Sequence, residues 1–212
     1  MLGITGSHRS GKTTLARAYA AKEKVAYVEV RASDVFKDMG LDPAATYDFG
    51  TRLSVQEEIL RRFDKAYAKH TAGLGAVTDR TPIDLIAYTL ADATGNAVGE
   101  EHQARLKKYI QDCLDVTNKR FSAVILIQPG IPLVHEEGKA ALNEAYIEHL
   151  NSLMLGLLVD ERVKVPHFYL KRHMTDLDVR LQALKNSARK IVERAEAEFA
   201  SELIDKGKVA IH

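Results

Sequence analysis

The chain has 212 residues, 46% of them hydrophobic, with 30 Lys and Arg against 29 Asp and Glu, a formal net charge of +1. That length suits one α/β domain over 1–212, and the near-neutral balance argues against a strongly basic nucleic-acid binder. The single cysteine, Cys113, excludes an intrachain disulfide, and the most apolar late stretch, Leu153 to Val159, is too short to span a bilayer. The chain opens directly into a strand-like run with no leader sequence, so a cytoplasmic protein without a membrane partner is expected.

Leu2-Gly3-Ile4-Thr5 predicts a short buried strand, and Thr13 to Ala20 predicts a helix. Between them, Gly6-Ser7-His8-Arg9-Ser10-Gly11-Lys12-Thr13 matches the phosphate-loop pattern G-x-x-x-x-G-K-[ST] without a gap. Strand, glycine loop and helix is the context that such a loop requires. Val25 to Val30 predicts a second strand, Arg31 to Asp34 a loop, and Gly40-Leu41-Asp42-Pro43 a break. Phe49, Leu53, Gln56, Leu60, Phe63 and Tyr67 recur at helical spacing, giving a helix over 51–69. Gly75 to Thr78 predicts a brief strand ending at Asp79-Arg80.

Thr81, Pro82 and Asp84 form a helix-start signal: a cap, a proline at the first position and a carboxylate that closes a capping box. That helix ends before Gly95-Asn96. A longer one follows, carried by His102, Leu106, Tyr109, Ile110, Cys113 and Leu114. Ser122 to Ile127 is continuously apolar, as in a strand buried on both faces. Residues 131–140 predict a mobile loop. Ala141 to Val159 is apolar nearly all round and predicts a deeply packed helix. Val163 to Leu170 predicts the last strand, with Pro166 marking an edge or a bulge. Thr175 to Asp178 predicts a capping box that opens a terminal helix. Its stripe of Leu177, Leu181, Leu184, Ala188 and Ile191 faces either the core or, in a homodimer, a second copy.

Alternating strands and helices imply a parallel sheet with helices on both faces, and ligands bind at the C-terminal ends of such strands. Loops 6–13, 31–34 and 79–82 fall there. Glycines let consecutive N–H groups turn inward as an anion nest at a helix N-terminus. Lys12 adds a charge for the β- and γ-phosphates of ATP, and Thr13 a hydroxyl for Mg²⁺. The nucleotide-binding set is therefore Gly6, Ser7, His8, Arg9, Ser10, Gly11, Lys12, Thr13 and Thr14, with His8 and Arg9 contributing through their backbone N–H groups. Asp79 can hold a metal-bound water or accept a hydroxyl proton, and Arg80 can grip an acceptor phosphate or the transferring group; a structural Asp-Arg pair is the bland alternative. A guanine-specific N-K-x-D motif is missing, since Asn118-Lys119-Arg120-Phe121 lacks the aspartate. The Asp-Glu pair of an ATP-driven motor is missing too, because Thr78-Asp79-Arg80 stands in its place.

Together, Gly6–Thr13 and Asp79-Arg80-Thr81-Pro82-Ile83-Asp84 resemble the P-loop kinases of nucleosides and nucleotides. More closely, they are similar to the deoxynucleoside monophosphate kinase-like proteins of tailed phages and bacteria, often labelled AAA-family ATPases. The resemblance implies a three-layer P-loop fold with a five-stranded parallel sheet, an acceptor-binding region over 31–70 and a small lid over 129–146. It implies ATP and Mg²⁺ as cofactors and a small-molecule nucleotide as substrate: phosphoryl transfer from ATP to a (deoxy)nucleoside monophosphate, as in thymidylate kinases. Asp79-Arg80-Thr81 lies between the thymidylate kinase pattern, Asp-Arg-Tyr/Phe, and the deoxyribonucleoside kinase pattern, Glu-Arg-Ser. Arg31 stands where thymidylate kinases place an arginine near the acceptor phosphate. Gln56 stands where deoxyribonucleoside kinases set a glutamine against the base, with a half-buried surface polar residue as the alternative. Phe49 and Tyr47 would stack on that base, or Phe49 would be simple core; Arg52 would hold the acceptor or be a solvated charge. Lys139 would reach over the phosphates from the lid, and Arg172 would pack against adenine. Phosphorylation of a hydroxyl, on a nucleoside or a hydroxymethylated base in DNA, and an ATP-binding switch without kinase activity remain the alternatives.

Overall fold

Two strands set the frame, because their sequences leave them nowhere to go but the interior. β1 (Leu2–Thr5) and β4 (Ala123–Ile127) are buried at every position, as expected of central strands covered by helices on both faces. The structure is a computed structural model that describes residues 1–70, 73–93, 98–133 and 143–205. β1 and β4 pair in parallel, Leu2 opposite Ala123 through Thr5 opposite Leu126. β3 (Ala76–Thr78) lies on the other side of β1, while β2 (Ala26–Tyr27) and β5 (His167–Leu170) form the edges. The result is a five-stranded, all-parallel sheet in the order β2-β3-β1-β4-β5. The chain reverses direction across the sheet at β1, so the crevice beyond the C-terminal ends of β3, β1 and β4 is the natural place for a ligand.

Side chains alternate across each strand and feed two separate cores. Leu2, Ile4, Ala123, Ile125 and Ile127 face α1 (Lys12–Glu23) and α7 (Leu177–Asp205). Val124 and Leu126 face the opposite layer. That layer is built from α3 (Phe49–Tyr67), α4 (Pro82–Asp92), α5 (Glu100–Arg120) and α6 (Glu144–Leu158), with α2 (Ala32–Asp38) packed on α3. Cys113 is buried among these helices, where burial drives its thiol pKa far above the ordinary thiol range. In α7, Leu181, Leu184, Ala188 and Ile191 are buried in the same core as α1, so the terminal stripe faces the core. Leu177, 40% exposed, lies outside it. Among the described residues no helix is long and apolar enough to cross a membrane.

Several predicted boundaries shift. The second strand is confined to Ala26–Tyr27 instead of residues 25–30. The expected loop at 31–34 is the start of α2: Val35 is buried and Ala32 and Phe36 pack on the core, and that burial overrides the turn propensity of Ser33 and Asp34. The helix predicted from residue 51 begins at Phe49 because the Asp48 carboxylate accepts a bond from Thr51 N at 2.9 Å. The helix predicted over 141–159 starts at Glu144, capped by the Asn143 side chain. It is one-sided, with Ile147, Leu150, Asn151, Met154 and Leu158 buried and Val159 exposed. The last strand begins at His167, since Val163 N is engaged in a turn with Asp160 O. Asp176, not Thr175, caps α7, accepting from Val179 N at 3.0 Å. The predicted turn at Gly95-Asn96 and the stretch 134–142 lie outside the described residues.

The cap predicted at Thr81 is present and does more than start a helix. Asp84 is fully buried, and its Oδ2 accepts from Thr81 N at 2.7 Å, closing the capping box. Its Oδ1 accepts from Gly6 N at 3.2 Å. One carboxylate thus joins the start of α4 to the first residue of the glycine loop. Asp84→Ala leaves Gly6 N and the Thr81 donors buried and unpaired, so it should cost about 2–3 kcal/mol. A lowered urea midpoint at unchanged slope is the expected outcome.

Candidate active site

The loop between β1 and α1 carries three unusual backbone angles: Gly6 at φ 153, Arg9 at φ 61 and Gly11 at φ 84. At Gly6 even a methyl group is excluded, since a Cβ would lie 2.7 Å from Ile127 O. Gly11 is the residue that turns the loop into α1. The loop's carbonyls are held from within. Lys12 Nζ donates to Gly6 O and to Ser7 O, both at 2.7 Å, and Ser10 Oγ donates to Ser7 O at 2.9 Å. With these carbonyls tied down, the loop leads into the start of α1, and a helix N-terminus is where an anion is favoured.

Lys12 is 6% exposed, and burial lowers its pKa from an ordinary 10.5 to about 8, against the opposing pull of Asp84. Thr13 and Thr14 are exposed at the first turn of α1. Thr13 Oγ1 donates to the carboxylate of buried Asp79, so the predicted pair meets. A hydroxyl and a carboxylate are hard oxygen donors that suit Mg²⁺. Among the described residues no group of three or more His, Cys, Asp or Glu forms a protein-only metal cage. A metal here would complete its shell with phosphate oxygens and water, as Mg²⁺ does in nucleotide sites. The Tyr27 hydroxyl lies near Asp79, and burial together with that negative charge raises its pKa to about 12.

Arg80 is half-buried beside these groups. Its carbonyl accepts from the Tyr67 hydroxyl at 2.9 Å, and its guanidinium lies near the Tyr88 hydroxyl. Burial opposes its charge, and the attraction of Asp84, Tyr88 and Asp79 outweighs that. Tyr146, on the first turn of α6, stacks obliquely with His8 at 5.9 Å and edge-on with Tyr88 at 6.5 Å. Burial and the charges of Lys12, Arg9 and Arg80 hold the His8 pKa below its usual value.

The more peripheral candidates are mostly engaged elsewhere. Arg31 pairs with Glu29 at 2.8 Å on the surface, where Glu29 also meets Arg17. Arg52 pairs with Asp92 at 2.6 Å. Phe49 packs against the core and lies 6.0 Å from the His102 ring. Tyr47 is half-buried, and its hydroxyl accepts from Asp42 N at 2.9 Å. Gln56 is half-buried, and its amide oxygen is sequestered from solvent without a partner. Arg172 pairs with Glu148 at 2.5 Å. It lines a cleft of about 520 Å³ with His8, Arg9, Ser10, Gly130, Ile131 and His173, beside the glycine loop. Lys139 lies outside the described residues.

Glycine loop, buried lysine and paired Thr13 and Asp79 place the chain among phosphate-loop proteins, and the comparison with known families agrees. The family model described as an AAA domain matches residues 2–129, more than half of the chain. The chain belongs to the AAA domain family. Solved structures share its fold. Deoxyadenosine kinase from M. mycoides, solved with dCMP and dCDP, superposes with a TM-score of 0.64 at 17% identity, covering 89% of this chain and 98% of that one. NadR in complex with NR superposes with a TM-score of 0.57 at 18% identity, covering 91% of this chain and 50% of that one. No curated protein sequence matches significantly. These likenesses establish the P-loop α/β fold of the AAA domain chain.

Sequence reasoning passed over Tyr27, Tyr88, Tyr146 and Arg180. Tyr88 had a signal, four residues after Asp84 on the same helix face. Tyr27 and Tyr146 had none, because their contacts depend on how β2 and α6 dock.

The Lys12 pKa yields a prediction with a definite sign. Its folded value of about 8 lies below its ordinary 10.5, so between these pH values the unfolded chain holds the proton and the native protein does not. Stability of the protein without nucleotide should therefore rise with pH across that window. Thermal melts from pH 7 to 10 should show the rise in wild type and its loss in Lys12→Met.

Proposed function

We propose that this AAA domain chain is an ATP- and Mg²⁺-dependent kinase of (deoxy)nucleosides or their monophosphates, built as one catalytic unit over 1–212. The observation that carries the proposal is the meeting of Lys12, Thr13 and Asp79 under the glycine loop. In this reading the N–H groups of the loop hold the β- and γ-phosphates. Lys12 exchanges its two carbonyl partners for phosphate oxygens and neutralises charge as the phosphoryl group moves. Thr13 and Asp79 would hold Mg²⁺ and its water, and the ion when bound supplies charge neutralisation at the phosphates. Arg80, kept cationic by Asp84 and steadied by Tyr88, faces the transferring group. The adenosine end of ATP would lie in the cleft beside His8, Arg172 and His173.

The acceptor would bind between α3 and the Asp79-Arg80 turn, within 31–70, with the free amide oxygen of Gln56 reading a base edge. A (deoxy)nucleoside monophosphate, held as in thymidylate kinases, would need Arg31 or Arg52 to leave Glu29 or Asp92 for the phosphate. A neutral nucleoside needs no such exchange. The two ion pairs therefore favour a hydroxyl acceptor, and the loose transition state of phosphoryl transfer asks little of a base. The lid over 129–146, with Lys139, would close the site against water.

ADP formation from ATP·Mg²⁺ should be stimulated by one deoxynucleoside more than by its monophosphate or by DNA bearing hydroxymethyluracil. Stimulation by a monophosphate alone would reassign the acceptor, and ATP binding with no acceptor response would leave a switch. Lys12→Ala and Asp79→Asn should each lower kcat by about a hundredfold or more. Normal turnover by folded Lys12→Ala would remove the phosphate-loop assignment.

A further inference from the structure

Arg180 stands out among the described charged residues. It lies on the first turn of α7 and is only 2% exposed. Its Nη1 donates to Ser10 O at 2.8 Å, and its Nε to Met174 O. Its Nη2 is buried without a hydrogen-bond partner. Among the described residues no carboxylate pairs with it. A buried cation without a counter-charge is expensive. Arg180 keeps its place against that cost, directly beneath the loop that receives anionic phosphates; a Cβ on Gly11 would lie 3.1 Å from Nη1.

The bond to Ser10 O has a geometric consequence. The carbonyl of Ser10 and the N–H of Gly11 belong to one planar trans peptide, so they point in opposite directions. Drawing the Ser10 carbonyl toward α7 turns the Gly11 N–H away from α7, toward the hollow of the loop. The second bond, to Met174 O, fixes the same guanidinium to the turn that follows β5. That turn supplies Arg172 and His173 to the 520 Å³ cleft. One planar side chain therefore joins the glycine loop to a second segment lining the same cleft.

We propose that Arg180 is a positioning residue for polyphosphate: it sets the Ser10–Gly11 peptide so that Gly11 N–H faces the phosphates, and its buried charge biases the loop toward di- and triphosphates. The inference rests on the phosphate-loop reading above. It deepens that reading by assigning the terminal helix a part in nucleotide binding.

The test is calorimetric affinity for ADP, inorganic tripolyphosphate and AMP, in wild type, Arg180→Met and Arg180→Lys. Arg180→Met should weaken ADP and tripolyphosphate by at least about tenfold and AMP by less than about twofold, a difference of roughly 1 kcal/mol or more in coupling to the terminal phosphates. Arg180→Lys keeps the charge, loses the fork that bridges two carbonyls, and should fall between. Should Arg180→Met fail to fold, the Arg180→Lys ratio of ADP to AMP affinity decides alone: an unchanged ratio overturns the inference. An equal loss for all three ligands would make Arg180 merely structural. Unchanged ADP affinity in a folded variant overturns the inference while leaving the phosphate-loop reading intact. Wild-type protein that binds neither ADP nor tripolyphosphate overturns both.

Discussion

A loop that is to hold an anion with its N–H groups must keep its own carbonyls turned away, and that constraint organises the site. Each end of the loop is tied by a different part of the fold. The Asp84 carboxylate holds Gly6 N and so roots the loop in the α4 capping box. Lys12 and Ser10 take up the carbonyls of Gly6 and Ser7. Arg180 takes up the carbonyl of Ser10 from the other core. The central strand β1 delivers the loop between the two cores, and each core sends one buried charged side chain to grip it.

These ties explain why so much charge is tolerated in the interior. Lys12, Asp79, Asp84 and Arg180 are all nearly or fully buried. Each is bonded to backbone or to a hydroxyl, which offsets much of its desolvation. Lys12 lies in the field of Asp84 and Asp79, whereas Arg180 is held by carbonyls alone. Aromatic hydroxyls lie beside two of the charges: Tyr27 near Asp79, and Tyr88 near Arg80. The tyrosines add polar groups without further ionic charge, and Tyr146 stacks against His8.

What was legible in the sequence follows from range of interaction. The loop motif, the Thr81-Pro82-Asp84 cap and the apolar runs of β1 and β4 are local signals with local causes, and each stands where it was expected. The meeting of Thr13 with Asp79 was implied once β1 and β3 were placed side by side. Helix α2 was not legible, because Ser33 and Asp34 favour a turn and only burial of Val35 against α3 reverses that. Arg31 and Arg52 looked like free cations, and only the fold shows Glu29 and Asp92 beside them. Arg180 carried a faint signal: an arginine on the face that Leu181 and Leu184 bury. A charged residue on an apolar stripe usually has a partner, and here the partner is a carbonyl about 170 positions upstream.

The grip of Lys12 on its own loop has a consequence for ion selectivity. Its ammonium already spans two carbonyl oxygens, so an arriving anion must win an exchange and not merely fill an attractive hollow. Chloride or acetate, with a single charge, would have little with which to displace both. A chain of linked phosphates offers several concentrated charges to the lysine and the loop amides at once. If the loop takes phosphates as proposed above, the lysine would act in a salty medium as a threshold that screens out weak competitors before any base or sugar is recognised.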